Sequence, residues 1–239
     1  MRLTYIYHSG FAIEAENFTI IIDYYQDSIS ETHGVVVDRL LHRPQKLYVL
    51  VSHGHADHFN PEILKWRKNR HDITYIFSKD VEKSLKMDST DVIFIDKDEQ
   101  YVDDILQIDA FGSTDLGISF RIKADNKVIF HAGDLNNWHW NEESTEEEIK
   151  DAEDFYLREL DHIAALTPFV DVAMFPVDPR LGKDYMKGAG QFMERIPTGL
   201  FIPMHFDVAY EKAAAIEVVA EKCKAEVFVP LHRGDVIEI

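Results

Sequence analysis

The sequence predicts a layered α/β sandwich. Its first third alternates short β patterns, residues 101–131 return to strands, and helical patterns lie between and after these blocks. The run Leu47-Tyr48-Val49-Leu50-Val51 is continuously apolar, as in a strand buried on both faces.

In order, strands are expected over 3–7, 11–15 and 18–22, the last two joined by a tight turn at Glu16-Asn17. Residues 24–45 are polar and irregular around Val35-Val36-Val37 and end at Pro44, an excursion expected near a site mouth. After strand 47–51, Asn60-Pro61 reads as an N-cap with proline at the first helical position, opening a short helix through Trp66. Strand 73–77, helix 81–87 and strand 92–95 complete an alternating stretch, followed by strands 105–110, 117–122 and 127–131 with a turn at Ala124-Asp125-Asn126.

Either Ser144-x-x-Glu147 or Thr145-x-x-Glu148 makes a capping box. It opens a helix with Ile149, Ala152, Tyr156, Leu160 and Ile163 on one face and a solvated acidic face opposite. Strand 172–177, helix 185–195, strand 200–203, helix 208–222 and strands 227–229 and 236–239 close the chain. There is no repeat or linker, so one domain over 1–239 is the economical reading.

Composition narrows the partners. The 239 residues are 46% hydrophobic, enough for a substantial core. Acids outnumber bases 43 to 25, for a net charge of −18, which disfavours nucleic acid, since that binding rests on Lys and Arg against phosphate. No apolar stretch reaches a membrane span, and Met1-Arg2-Leu3-Thr4-Tyr5 opens no signal peptide. The lone Cys223 excludes an internal disulfide and sits on a helical apolar face, so a reducing cytoplasm fits. The expected partner is a small molecule, and a homo-oligomer is allowed.

Residues 51–59, Val-Ser-His-Gly-His-Ala-Asp-His-Phe, carry the chemistry. Imidazole and carboxylate are ligands for first-row metals, and such clusters take zinc readily. A strand feeding straight into a tight loop can aim His53, His55, Asp57 and His58 at one point, with Gly54 and Ala56 keeping the spacing uncrowded. This His53-x-His55-x-Asp57-His58 pattern resembles the signature of the metallo-β-lactamase superfamily.

The resemblance extends along most of the chain and implies a four-layer αβ/βα sandwich. His131-Ala132-Gly133-Asp134 is similar to the family's Gly-Asp segment, which implies that Asp134 bridges two metals, one carboxylate having two oxygens to share. Pro203-Met204-His205 stands where the family places its last ligand. Asp23, ending Ile20-Ile21-Ile22-Asp23, matches an early aspartate that supports the ligand loop by hydrogen bonding. Tyr7-His8-Ser9-Gly10-Phe11 resembles the opening of the branch containing L-ascorbate-6-phosphate lactonase. The family's further histidine between His58 and Asp134 has no match; the corresponding segment is Gly112-Ser113-Thr114-Asp115, which leaves the His53/His55 site depleted.

The expected activity is metal-assisted hydrolysis of a small anionic ester, lactone or phosphodiester, with one or two divalent ions, zinc or else manganese or iron. Asp57 would ligate metal while accepting a proton from the attacking water. His139, in Trp138-His139-Trp140, is a candidate proton donor, and the tryptophans either wall a pocket or pack under the acidic helix. A Gly-x-Ser-x-Gly elbow, a P-loop and a Gly-x-Gly-x-x-Gly fingerprint are all absent. The alternatives are a non-hydrolytic metal or redox protein of the same fold, and a nuclease.

Overall fold

The structure, a computed structural model, describes residues 1–30, 33–85 and 91–239. It divides into two compact units, Met1–Asp96 with Pro230–Ile239, and Lys97–Val229. Numbered in chain order, the strands of the first unit are β1 (Arg2–Tyr7), β2 (Gly10–Glu14), β3 (Phe18–Ile22), β4 (Lys46–Val51), β5 (Ile73–Ser78), β6 (Val92–Ile95) and β14 (Val236–Glu238). Those of the second are β7 (Gln100–Val102), β8 (Leu106–Gly112), β9 (Ile118–Ala124), β10 (Lys127–His131), β11 (Val170–Pro176), β12 (Thr198–Met204) and β13 (Glu226–Val227).

Both sheets have one plan. In the first unit the order is β14-β1-β2-β3-β4-β5-β6, antiparallel up to β3 and parallel from β3 onward. In the second it is β7-β8-β9-β10-β11-β12-β13, antiparallel up to β10 and parallel beyond it. Loops at the carboxyl ends of parallel strands near such a switch are where α/β sheets gather ligands. Asp23 follows β3 and His53 follows β4; Asp134 follows β10, Asp178 follows β11 and His205 follows β12.

The apolar runs behave as their burial demands. All of β2 and β3, and β4 after Lys46, are buried. Ile21, Leu47, Val49, Val51, Phe77 and Trp66 share the first unit's core. In the second, Phe175 packs against Phe192 and Phe201 at ring separations of 4.8 and 6.3 Å. Burying each such side chain contributes roughly 1.5–3 kcal/mol.

Helices α1 (Val35–Asp38) and α2 (Lys79–Ser84) belong to the first unit, and α3 (Glu146–Leu166), α4 (Lys187–Arg195), α5 (Tyr210–Ala214) and α6 (Glu217–Cys223) to the second. Among the described residues no helix is long and apolar enough to cross a membrane. The α/β expectation is met unit by unit, each being one mixed sheet with its own helices.

Several local expectations change. The stretch 24–45 contains α1 and a 3₁₀ turn at Leu40–His42, and Asn60 caps a 3₁₀ helix, Pro61–Lys68, by accepting from the Glu62 amide. Of the two capping boxes the chain uses Thr145 with Glu148. The helix expected over 208–222 is two, α5 and α6; the one expected over 81–87 starts at Lys79, and positions 86–87 lie outside the described residues. Strand β7, short and largely exposed, lies outside the strands that the sequence pattern marks. The turn after β9 places Asp125 and Asn126 at φ 49° and 61°, the left-handed pair of a tight hairpin.

Candidate functional site

In the first unit, one buried carboxylate organises the His-rich loop. Asp23 is fully buried. Its Oδ1 accepts from the Ser52 amide at 2.7 Å, and its Oδ2 accepts from the Ser52 hydroxyl at 2.6 Å. The same Oδ2 accepts from His58 Nδ1 at 2.8 Å. With that hydroxyl proton given to Asp23, Ser52 Oγ accepts from His53 Nδ1, 3.0 Å away. Both imidazoles are thereby held in the tautomer whose Nε2 lone pair can bind metal, His58 directly and His53 through Ser52.

His53 Nε2 lies 3.0 Å from His55 Nδ1. Across the loop, Asp80 Oδ2 accepts from the Gly54 amide at 2.8 Å, fixing the backbone between these two histidines. Asp57 and His58 gather with a third residue, His8, their ligand atoms all within 4.8 Å of one another. His8 Nε2 stands 3.3 Å from Asp57 Oδ2. That hydrogen bond, reinforced by the neighbouring imidazoles against the effect of burial, holds the Asp57 carboxyl well below the usual carboxylate range.

The second unit has its own donors. His205 Nε2 lies 3.3 Å from Asp134 Oδ1, and both residues are buried. His205 Nδ1 donates to Asp178 Oδ2 at 3.0 Å, the same tautomeric control that Asp23 exerts on His58. Burial alone would raise the pKa of Asp178, but hydrogen bonds from His205 and Arg180 bring it down to about 2. The Asp134 carbonyl accepts from Trp138 Nε1 at 2.8 Å. Trp138 stands edge-on to His205 at 5.7 Å and stacks on Trp140 at 6.2 Å with 15° between the planes. Trp138 thus stands beside His205, with Trp140 stacked on it.

Non-glycine residues of these loops with left-handed backbones include His8 at φ 56°, Asp23 at 46°, Trp140 at 42° and His205 at 63°. Such conformations cost roughly 1–3 kcal/mol each and persist only where surrounding contacts over-determine them.

His139 is held at both ring nitrogens. Its Nδ1 accepts from the Asn141 amide and its Nε2 donates to the Asp184 carbonyl, each at 3.2 Å, in one consistent tautomer. A ring engaged this way clamps backbone and is poorly suited to donate protons to a substrate. In the segment lacking the family's histidine, Thr114 Oγ donates to the Asn136 carbonyl at 2.6 Å and accepts from the Asn136 amide at 2.9 Å, stitching that loop to the one bearing Asp134. Asp115 is exposed.

Two contacts of the site lie outside what the sequence motifs mark as ligands, His8 with Asp57 and Asp178 with His205. The signal for Asp178 is an aspartate directly after a buried strand, the same signal Asp23 carries. His131 is buried and accepts from the Gly133 amide, while His232 is exposed beside Asp235.

Comparison with known proteins follows this geometry. A family profile described as a beta-lactamase superfamily domain matches residues 2–152. A metal-dependent hydrolase of Nanoarchaeum equitans is 27% identical over 222 residues, covering 87% of this chain and 84% of its own. A metallo hydrolase from the archaeon Ignicoccus hospitalis superposes with a TM-score of 0.68 at 20% identity, over 100% of this chain and 98% of that one. A diiron β-hydroxylase from Streptomyces venezuelae gives 0.65 at 13% identity, over 100% of this chain and 54% of its own.

Proposed function

The chain belongs to the metallo-β-lactamase superfamily as a metal-dependent hydrolase, and we propose that it cleaves a small anionic ester, lactone or phosphodiester with an activated water. We take residues 1–239 as one hydrolase domain, with His53, His55, Asp57, His58, Asp134 and His205 as the metal ligands. The observation that carries this reading is the pair of buried aspartates behind the histidines. Asp23 behind His58 and Asp178 behind His205 each spend an Nδ1 proton and present Nε2 as a lone pair. Structural histidines have no need of that matched arrangement; metal ligands do.

The donor set fits a borderline divalent ion, zinc or else manganese or iron. One or two such ions would supply Lewis acidity, making water a better nucleophile at neutral pH and polarising the electrophile's oxygen. The protein's own residues do the rest. Asp57, ionised at neutral pH and oriented by His8, would accept the attacking water's proton on a carboxylate oxygen. Asp134 would hold metal through its carboxylate oxygens. Asp23 and Asp178 keep the imidazoles from rotating. His139 takes no proton-transfer role.

A non-hydrolytic iron protein is the second reading. It draws on the Ser113-Thr114-Asp115 segment, where Thr114 is committed to the Asn136 backbone and supplies no histidine.

Elemental analysis of purified protein, with esterase, lactonase and phosphodiesterase assays before and after chelation, tests the proposal. Metal-dependent turnover that returns with a divalent ion supports it. Undiminished turnover in chelated protein overturns it, and redox-active iron without turnover selects the second reading.

A further inference from the structure

Arg180 is a cation fixed beside a proposed ligand in a chain of net charge −18. It belongs to Asp178-Pro179-Arg180, at the start of a 3₁₀ turn spanning Pro179–Asp184. Its Nε lies 3.0 and 2.9 Å from the two oxygens of Asp178, and its Nη2 2.5 Å from Oδ2. Nη2 is also 3.4 Å from His205 Nδ1. Despite these contacts the Arg180 side chain is 64% exposed, while Asp178 is 1% exposed. A guanidinium can grip a planar anion along an edge, as Arg180 grips Asp178, and its exposure keeps the group within reach of a ligand.

Half-buried Trp138 flanks the same histidine, edge-on at 5.7 Å. The loop that carries it is tied to the arginine's turn at three points. His139 Nε2 donates to the Asp184 carbonyl at 3.2 Å, Asn141 Nδ2 donates to the Asp184 carboxylate at 2.8 Å, and the Lys183 amide donates to Glu142 at 3.4 Å. Gly182 has φ 77°, and a Cβ there would meet the Glu142 carboxyl at 2.7 Å, so the two loops close tightly. An aromatic ring and a guanidinium thus both stand beside His205, Trp138 fixed by its bond to the Asp134 carbonyl and Arg180 by its grip on Asp178, with their loops tied together. Such preorganisation is what a recognition subsite requires.

We propose that Arg180 and Trp138 form the substrate-recognition subsite, Arg180 taking a carboxylate or phosphate and Trp138 packing against an adjoining apolar or flat group. The inference rests on the hydrolase reading, deepens it by naming the substrate's two recognition elements, and gives His139 a positioning role.

The test compares wild type with Arg180→Met and Arg180→Lys, all as purified and assayed for metal content. Calorimetric titration with phenyl phosphate reads binding without turnover. Hydrolysis of bis(4-nitrophenyl) phosphate against 4-nitrophenyl acetate reads selectivity for an anion. Losing a charge-assisted contact should weaken phenyl phosphate binding in Arg180→Met by about tenfold or more, and lower the anionic-to-neutral ratio of kcat/KM by a similar factor. Arg180→Lys should fall between, since lysine keeps the charge but not the bidentate edge. Unchanged phenyl phosphate affinity overturns the proposal. So does loss of metal from both variants, because Arg180 would then act only by steadying Asp178 and His205. Absence of metal-dependent turnover in wild type would instead refute the hydrolase reading, while the phenyl phosphate titration still judges Arg180.

Discussion

Asp23 and His58 are bonded at 2.8 Å through Nδ1, with both side chains sealed from solvent. Because Asp23 also holds Ser52, and Ser52 holds His53, one carboxylate sets two imidazoles. Asp23→Asn keeps the shape but puts an amide where two protons converge on Oδ2. Metal affinity is expected to fall about 10–100-fold. Competition with a chromophoric chelator measures this, and retained far-ultraviolet dichroism distinguishes it from unfolding.

His58→Ala and Asp134→Ala should each abolish metal uptake while the fold largely survives. Unaltered metal content in either purified variant would refute that ligand assignment.

His139→Ala should cost about 1–3 kcal/mol, by loss of its clamp between Asn141 and Asp184. The limbs of the kcat–pH profile should stay in place, with KM rising. A limb that vanished would restore His139 as a proton donor.

Glu14 carries a separate stability prediction. Its buried carboxylate meets Arg39 and Arg43, each at 2.5 Å. Burial raises its pKa, but these guanidinium groups more than compensate and hold it below the ordinary 4.5. A depressed carboxyl contributes stability above its unfolded pKa and loses it as pH falls through the folded one. Glu14→Gln should therefore cost about 2 kcal/mol at neutral pH. Its deficit against wild type should shrink as pH drops below about 4.5. Denaturant titrations at pH 7 and pH 3.5 check both parts, and a gap that widened in acid would sink the argument.

Thr145→Ala removes the helix cap, whose hydroxyl accepts from the Glu148 amide at 3.3 Å while Glu148 returns a bond to the Thr145 amide at 2.8 Å. The expected loss is about 1 kcal/mol, read as a lower thermal midpoint.

What could be read from the chain followed local physics. Strands β3 and β4 were legible because Phe18-Thr19-Ile20-Ile21-Ile22 and Leu47-Tyr48-Val49-Leu50-Val51 are runs that only burial satisfies. The capping box and the Ala124-Asp125-Asn126 turn were legible because their hydrogen bonds close within a few residues. The break between α5 and α6 falls at Ala215-Ile216, where neither glycine nor proline marks it. Strand β7 is too short to show a period. His8 meets Asp57 across 49 intervening sequence steps, and Asp178 meets His205 across 27. No local pattern encodes such encounters; the sheet order creates them.

The first unit is interrupted in sequence, because β14 arrives from the segment Pro230–Ile239 and pairs with β1. On the ribosome the outer edge of β1 stays bare until Val236–Glu238 emerges, and bare edges invite wrong pairings. The intervening Lys97–Val229 is contiguous and has all its strands earlier. Nascent chains should therefore complete the later-encoded unit first, and the loop bearing His53, translated early, gains its finished scaffold last.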